Sequence, residues 1–153
     1  MNDKEYIILE IIPEAISPAK GSVVQLSALK LKGFNLLDRF DYRLNPDKIE
    51  NIDLRNLISY DNDSFNYVDE GTEIINEFKI WASDLPLLII DNVYTYNFLD
   101  GLDNKKESIF KYLDMEFSDD VIEKIIAKYD LKPSNYIVDL LYEALIYESN
   151  KNK

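Results

Sequence analysis

The chain has 153 residues, 46% of them hydrophobic and 30% charged, a composition that excludes disorder and predicts one globular domain over residues 1–153. It contains neither cysteine nor histidine, which excludes disulfides, iron–sulfur and thiolate-zinc centres, imidazole bases and Ser–His or Cys–His catalysis. Seventeen Lys+Arg against 29 Asp+Glu give a net charge of −12, which disfavours phosphate backbones and anionic membranes and reads first as a solvated acidic surface, with carboxylates presented to a basic partner as the sharper alternative.

No secretory leader is expected, because Asp3, Lys4 and Glu5 interrupt the place where an apolar run would stand. The longest apolar runs, Tyr6–Ile12 and Leu85–Ile90, are far too short to span a bilayer, so a cytoplasmic, membrane-free protein is expected. Gly21, Gly33, Gly71 and Gly101 are isolated and form no phosphate-binding loop.

In chain order, Tyr6–Ile12 reads as a central strand covered on both sides, ended by Pro13. Ser22–Lys32 alternates as a second strand and Phe34–Leu44 as a third, with Leu36, Asp38, Phe40, Tyr42 and Leu44 on one side. Lys32-Gly33 between them predicts an antiparallel hairpin turn, and Asn45-Pro46-Asp47 closes the meander. A short helix is expected over Asp53–Ser59, and the acidic, aromatic stretch Tyr60–Glu70 is expected to be a loop. Thr72 is the expected N-cap of a helix over Glu73–Ser83, with Ile74, Ile75, Phe78 and Trp81 as its apolar face. Leu87–Ile90 predicts a buried parallel strand, and Asn92 caps a short helix to Leu99. Ser118 is the expected cap of Asp119–Tyr129, and Ser134 of a last helix carrying Ile137, Val138, Leu141, Ala144 and Leu145. The order βββ-α-β-α-α-α predicts an α/β domain: a mixed sheet of three antiparallel strands, then parallel ones, flanked by helices.

At this level the chain resembles the DnaQ-like (DEDD) 3′–5′ exonucleases of the ribonuclease-H-like fold. The resemblance is carried by Tyr6–Pro46, where Ile16-Ser17-Pro18, Ala28, Lys30, Lys32-Gly33, Phe40 and Asn45-Pro46 fall in the family's pattern. It continues in Ile90–Leu99, similar to an H-N-x-x-F-D-x-x-F-L block, and in the closing helices Val121–Tyr147. It implies a D-x-E pair on the first strand, two further acidic residues, and two Mg²⁺ or Mn²⁺ ions that stabilise an in-line displacement.

Against that pattern Glu10 stands at the Asp position, Ile12 replaces the Glu, and Tyr96 replaces the second Asp. Asp91-Asn92 stands for the His-Asn dipeptide, and Asp139 matches the last Asp. The upstream His is Ser134 or Asn135, and Tyr136 precedes Asp139 by three residues rather than four. Two of the four acidic positions survive. The expectation is a catalytically inactive exonuclease-like domain without cofactor, in which Glu10, Asp91 and Asp139 are relics and Ile12 and Tyr96 fill the cleft. If a metal is held at all, Glu10 and Asp139 are the candidates. The alternative is a divergent Mg²⁺- or Mn²⁺-dependent 3′–5′ exonuclease acting on DNA or RNA.

Glu10, on an otherwise apolar strand, is expected at a strand end where it reaches solvent. Eleven tyrosines in the chain suggest an interface. The candidate binding surface is Tyr60, Asp61, Asp63, Phe65, Tyr67, Asp69 and Glu70, with Tyr94 beside the former cleft. Its expected occupant is a protein with a basic groove, from nucleic-acid metabolism; nucleic acid itself is disfavoured by the charge. Richness in Asn, Ile, Lys and Tyr fits an AT-rich genome, such as that of a low-GC bacterium or its mobile elements.

Overall fold

The computed structural model describes residues 4–13, 23–49, 65–90, 101–118, 120–133 and 137–151. Six strands form one sheet: β1 (Glu5–Pro13), β2 (Val23–Lys32), β3 (Asn35–Leu44), β4 (Asn66–Val68), β5 (Leu87–Ile89) and β6 (Lys106–Ser108), in the order β4-β3-β2-β1-β5-β6. β1–β2 and β2–β3 are antiparallel; β3–β4, β1–β5 and β5–β6 are parallel. The predicted mixed α/β sheet is therefore present. The apolar run of β1 takes the position such a run requires, paired on both edges and covered on both faces.

Four α-helices flank the sheet among the described residues: α1 (Gly71–Ala82), α2 (Phe110–Leu113), α3 (Val121–Tyr129) and α4 (Ile137–Lys151). Ile74, Phe78 and Ala82 of α1 pack on Ile7, Leu9, Ala28, Phe40, Leu87 and Ile89. On the opposite face α2, α3 and α4 pack on Tyr6, Ile8, Leu29, Leu31 and Leu88, with Val121, Ile125, Val138, Leu141 and Leu145 inside. Period-2 alternation in the strands thus feeds two cores, one on each side of the sheet.

Gly33 makes the β2–β3 turn at φ 61°, a left-handed conformation that a side chain disfavours. The Tyr6 and Tyr142 hydroxyls donate to the carbonyls of Gly33 and Phe34, each at 2.6 Å, so β1 and α4 both hold the hairpin tip. Register shifts beside it: Leu31 pairs with Leu36 and Lys30 with Asp38. Leu37 is the extra residue of a bulge, so the simple alternation expected for the third strand breaks there and leaves Leu36 and Leu37 exposed.

Several local expectations change. The stretch expected as a loop contains β4, a strand too short to show alternation and made by pairing with Tyr42–Leu44. β6 and α2 were not expected; at three and four residues both are too short to repeat a pattern. α1 starts at Gly71 with Glu70 as its N-cap, so Thr72 lies inside the helix. Asp120, not Ser118, is the N-cap of α3; the Ser118 carbonyl accepts from the Val121 N–H at 3.1 Å. The helices expected over Asp53–Ser59 and Asn92–Leu99, and the Ser134 cap, lie outside the described residues. Among the described residues no helix is long and apolar enough to cross a membrane.

Candidate active site

Side chains two apart on a strand share a face, so Tyr6, Ile8, Glu10 and Ile12 all point to the side of the sheet covered by α4. Cross-strand register extends this into rows. Ile8 stands beside Leu29 and Leu29 beside Arg39; Glu10 beside Ser27 and Ser27 beside Asp41; Ile12 beside Gln25 and Gln25 beside Arg43. The face is thus apolar at one end and polar from Glu10 onward. Every buried polar or charged side chain among the described residues belongs to this second half: Glu10, Gln25, Ser27, Asp41 and Arg43.

Glu10 does not reach solvent as expected. It is 8% exposed, and burial pushes its carboxyl up to about 7. The strand runs on past Glu10 to Pro13, so the residue sits within the sheet rather than at its rim. Ile12, which offers no ligand, is partly buried on the same face.

Asp139 lies in the first turn of α4, where its carboxylate meets the Arg39 guanidinium. Nη1 donates to Oδ1 at 2.8 Å and Nη2 to Oδ2 at 3.4 Å. Arg39 Nε donates to Asp41 Oδ2 at 3.1 Å, so one side chain of β3 ties two carboxylates together. The other Asp41 oxygen, Oδ1, and the neighbouring Ser27 hydroxyl are buried with no hydrogen-bond partner. In the next row Arg43 Nε donates to Gln25 Oε1 at 2.9 Å, and the guanidinium lies 3.8 Å over the Phe65 ring.

The resemblance implies a carboxylate pair two residues apart on β1, facing a helix carboxylate. Of the described members only Glu10 and Asp139 are acidic; one is buried in its neutral-favouring surroundings and the other is engaged by a cation. Among the described residues no group of three or more acidic side chains comes together around a point fit for a metal ion. The described residues by themselves do not make up the two-metal arrangement. Asp91, Tyr94 and Tyr96 lie outside the described residues.

The candidate binding surface divides. Phe65 is buried beneath Arg43 rather than displayed, because its ring covers a guanidinium that the sheet has taken out of water. Tyr67 and Glu70 are exposed, and Asp69 accepts from Asn45 Nδ2 at 2.6 Å. Tyr60, Asp61 and Asp63 lie outside the described residues. Sequence reasoning missed Arg39, Asp41, Ser27, Gln25 and Arg43. Their signal was polar residues at inward positions of otherwise apolar strands, opposite Glu10.

No family model matches the chain. It is 23% identical over 95 residues to a DNA polymerase III of PolC type from Staphylococcus saprophyticus, and 20% identical over 99 residues to that of Bacillus subtilis strain 168. These matches cover 62% and 65% of the chain but only 7% of each relative, so the chain corresponds to a small part of those proteins. Solved structures of exonuclease I have the same fold. One bound to an inhibitor superimposes with a TM-score of 0.61 at 13% identity, over 100% of this chain and 42% of that one. Another, an exonuclease I/SSB-Ct complex, gives 0.60 at 12% identity, over 98% of this chain and 41% of that one. The mixed α/β sheet expected from the sequence is the fold these exonuclease I structures share, and the sequence similarity to PolC-type polymerases is local to about two thirds of the chain.

Proposed function

We propose that this chain is a catalytically inactive exonuclease-like domain that works by binding another macromolecule, a protein with a basic surface drawn from nucleic-acid metabolism. The observation that carries the inactive reading is the Arg39–Asp139 pair: the helix carboxylate is held by a guanidinium at 2.8 Å. Ile12 supplies no ligand on β1. Loss of one preorganised electrostatic group already lowers enzymatic rates by roughly 10²–10³-fold. No cofactor is required by this reading.

The protein partner is supported by the net charge of −12 and by the exposed Tyr67 and Glu70. One exonuclease I structure of the same fold is a complex with the SSB-Ct segment, a precedent for protein binding on this scaffold. A cytoplasmic location belongs to the same reading. The test is incubation with 3′-labelled single-stranded DNA and RNA in Mg²⁺ and in Mn²⁺. No shortening of either substrate is expected, together with nucleic-acid binding too weak to survive physiological salt. Processive removal of 3′ nucleotides would instead support the divergent exonuclease, the reading favoured by the similarity to PolC-type polymerases and exonuclease I.

A further inference from the structure

We propose that Arg39 is a built-in cation seated in a carboxylate pocket of Asp41 and Asp139, and that it keeps divalent metal ions out of that pocket. The inference deepens the inactive reading above and rests on it for its meaning, although its test is independent of it. The pocket draws on different strands from the β1 pair that the resemblance implies. Asp41 comes from β3, Ser27 from β2 and Asp139 from α4; the resemblance names Asp139 alone among them.

Three observations lead there. First, the guanidinium spans both carboxylates, with Nε on Asp41 at 3.1 Å and Nη1 on Asp139 at 2.8 Å. A bridging cation between two acidic groups is the place a hard divalent ion takes elsewhere. Second, Asp41 is 5% exposed and Ser27 1%, yet Asp41 Oδ1 and Ser27 Oγ have no hydrogen-bond partner. Buried oxygens are normally satisfied, and these two face the same side as the clamp, in direct cross-strand register. They are oxygen donors of the type that Mg²⁺ and Mn²⁺ select. Third, Arg39 and Asp139 are each about one third exposed, so ions in solution reach the outer side of the pocket. Arg39 cannot lose its proton at any ordinary pH, so its charge excludes a second cation permanently rather than conditionally.

The experiment titrates Mn²⁺ alone into the full chain, followed calorimetrically and by paramagnetic line broadening, for the parent, R39M and R39M/D41N. Expected is saturable binding to R39M, roughly tenfold or more tighter than to the parent, and a return to parental binding in R39M/D41N. Broadening in R39M should centre on β3 and the first turn of α4. Should R39M fail to fold by itself, the proposal requires Mn²⁺ to restore its circular dichroism spectrum, because the ion takes over the guanidinium's role. Equal Mn²⁺ binding by parent and R39M overturns the proposal, as does a folded R39M without binding or an unfolded one that Mn²⁺ does not rescue. The nuclease assay on the parent judges the inactive reading separately; binding confined to R39M supports the clamp whichever way that assay falls.

Discussion

The two faces of the central strands differ. Toward α1, the fully buried residues of β1 and β2 are apolar, Ile7, Leu9 and Ile11 beside Leu26 and Ala28, and the half-buried Lys30 at the end of the row donates to the Trp81 carbonyl of α1. Toward α4, the same strands begin apolar with Tyr6, Ile8, Leu29 and Leu31, then turn polar at Glu10, Ser27 and Gln25. Both faces are buried. A carboxylate, a hydroxyl and a guanidinium under cover cost stability unless paired, so the polar half-face is the one that folding alone does not explain. That half-face is also where the resemblance to exonucleases places chemistry. Both sides of the sheet carry a core, and the candidate site takes up the polar half of the α4 side.

The contrast is broken most strongly from the apolar side. Phe78 of α1 is fully buried among Phe40, Trp81 and the strand side chains. Phe78→Ala is expected to lower stability by about 3–5 kcal/mol through lost burial and an unfilled cavity, read by urea denaturation. A loss below about 1 kcal/mol would show that α1 is not part of the core.

Glu10 gives the next effect, and it depends on pH. Its carboxyl is raised from 4.5 to about 7 by burial, so the folded protein holds the proton more tightly than the unfolded chain does. The contribution of this group is complete below pH 4.5 and is lost as pH climbs through about 7. The loss amounts to about 3 kcal/mol for a shift of this size. Glu10→Gln should abolish that part of the pH dependence and leave the variant more stable than the parent at pH 8. Parallel stability profiles for the two proteins between pH 5 and 8 would contradict it.

A smaller cost, about 2 kcal/mol, is expected for Ile12→Glu, which puts a second carboxylate two residues from Glu10 on the same partly covered face. Its melting temperature should fall at neutral pH and recover in acid, where both carboxyls are neutral. An unchanged melting temperature would mean that this end of the face is open to water.

Asp139→Asn should cost least, no more than about 1 kcal/mol, because the ion pair with Arg39 is partly solvated. The difference from the parent should shrink as salt is added. A loss of several kcal/mol would move Asp139 from the rim of the site into its core.

Much of the architecture could be read from the residues in order. The three antiparallel strands and the helices α1, α3 and α4 carry a repeating pattern long enough to see, the Gly33 turn carries a local signal, and the strand at Leu87 lies in a continuous apolar run. β4, β6 and α2 carry no such signal, because three or four residues with polar ones among them are too few to repeat a pattern, and their existence depends on a neighbour to pair with or pack against. Glu10, Ile12 and Asp139 could be singled out by type and position, since a motif is a local property of the chain. Which of them meets a partner is not local. Asp139 is joined to Arg39 across 100 residues of sequence, and Arg39 to Asp41 only because a strand holds both on one face. Burial of Glu10, its raised carboxyl and the unpartnered oxygens of Ser27 and Asp41 arise from cross-strand register and from the helix laid over it. Composition and periodicity determined the layers of this protein; long-range packing decided the charge state and the company of its candidate site.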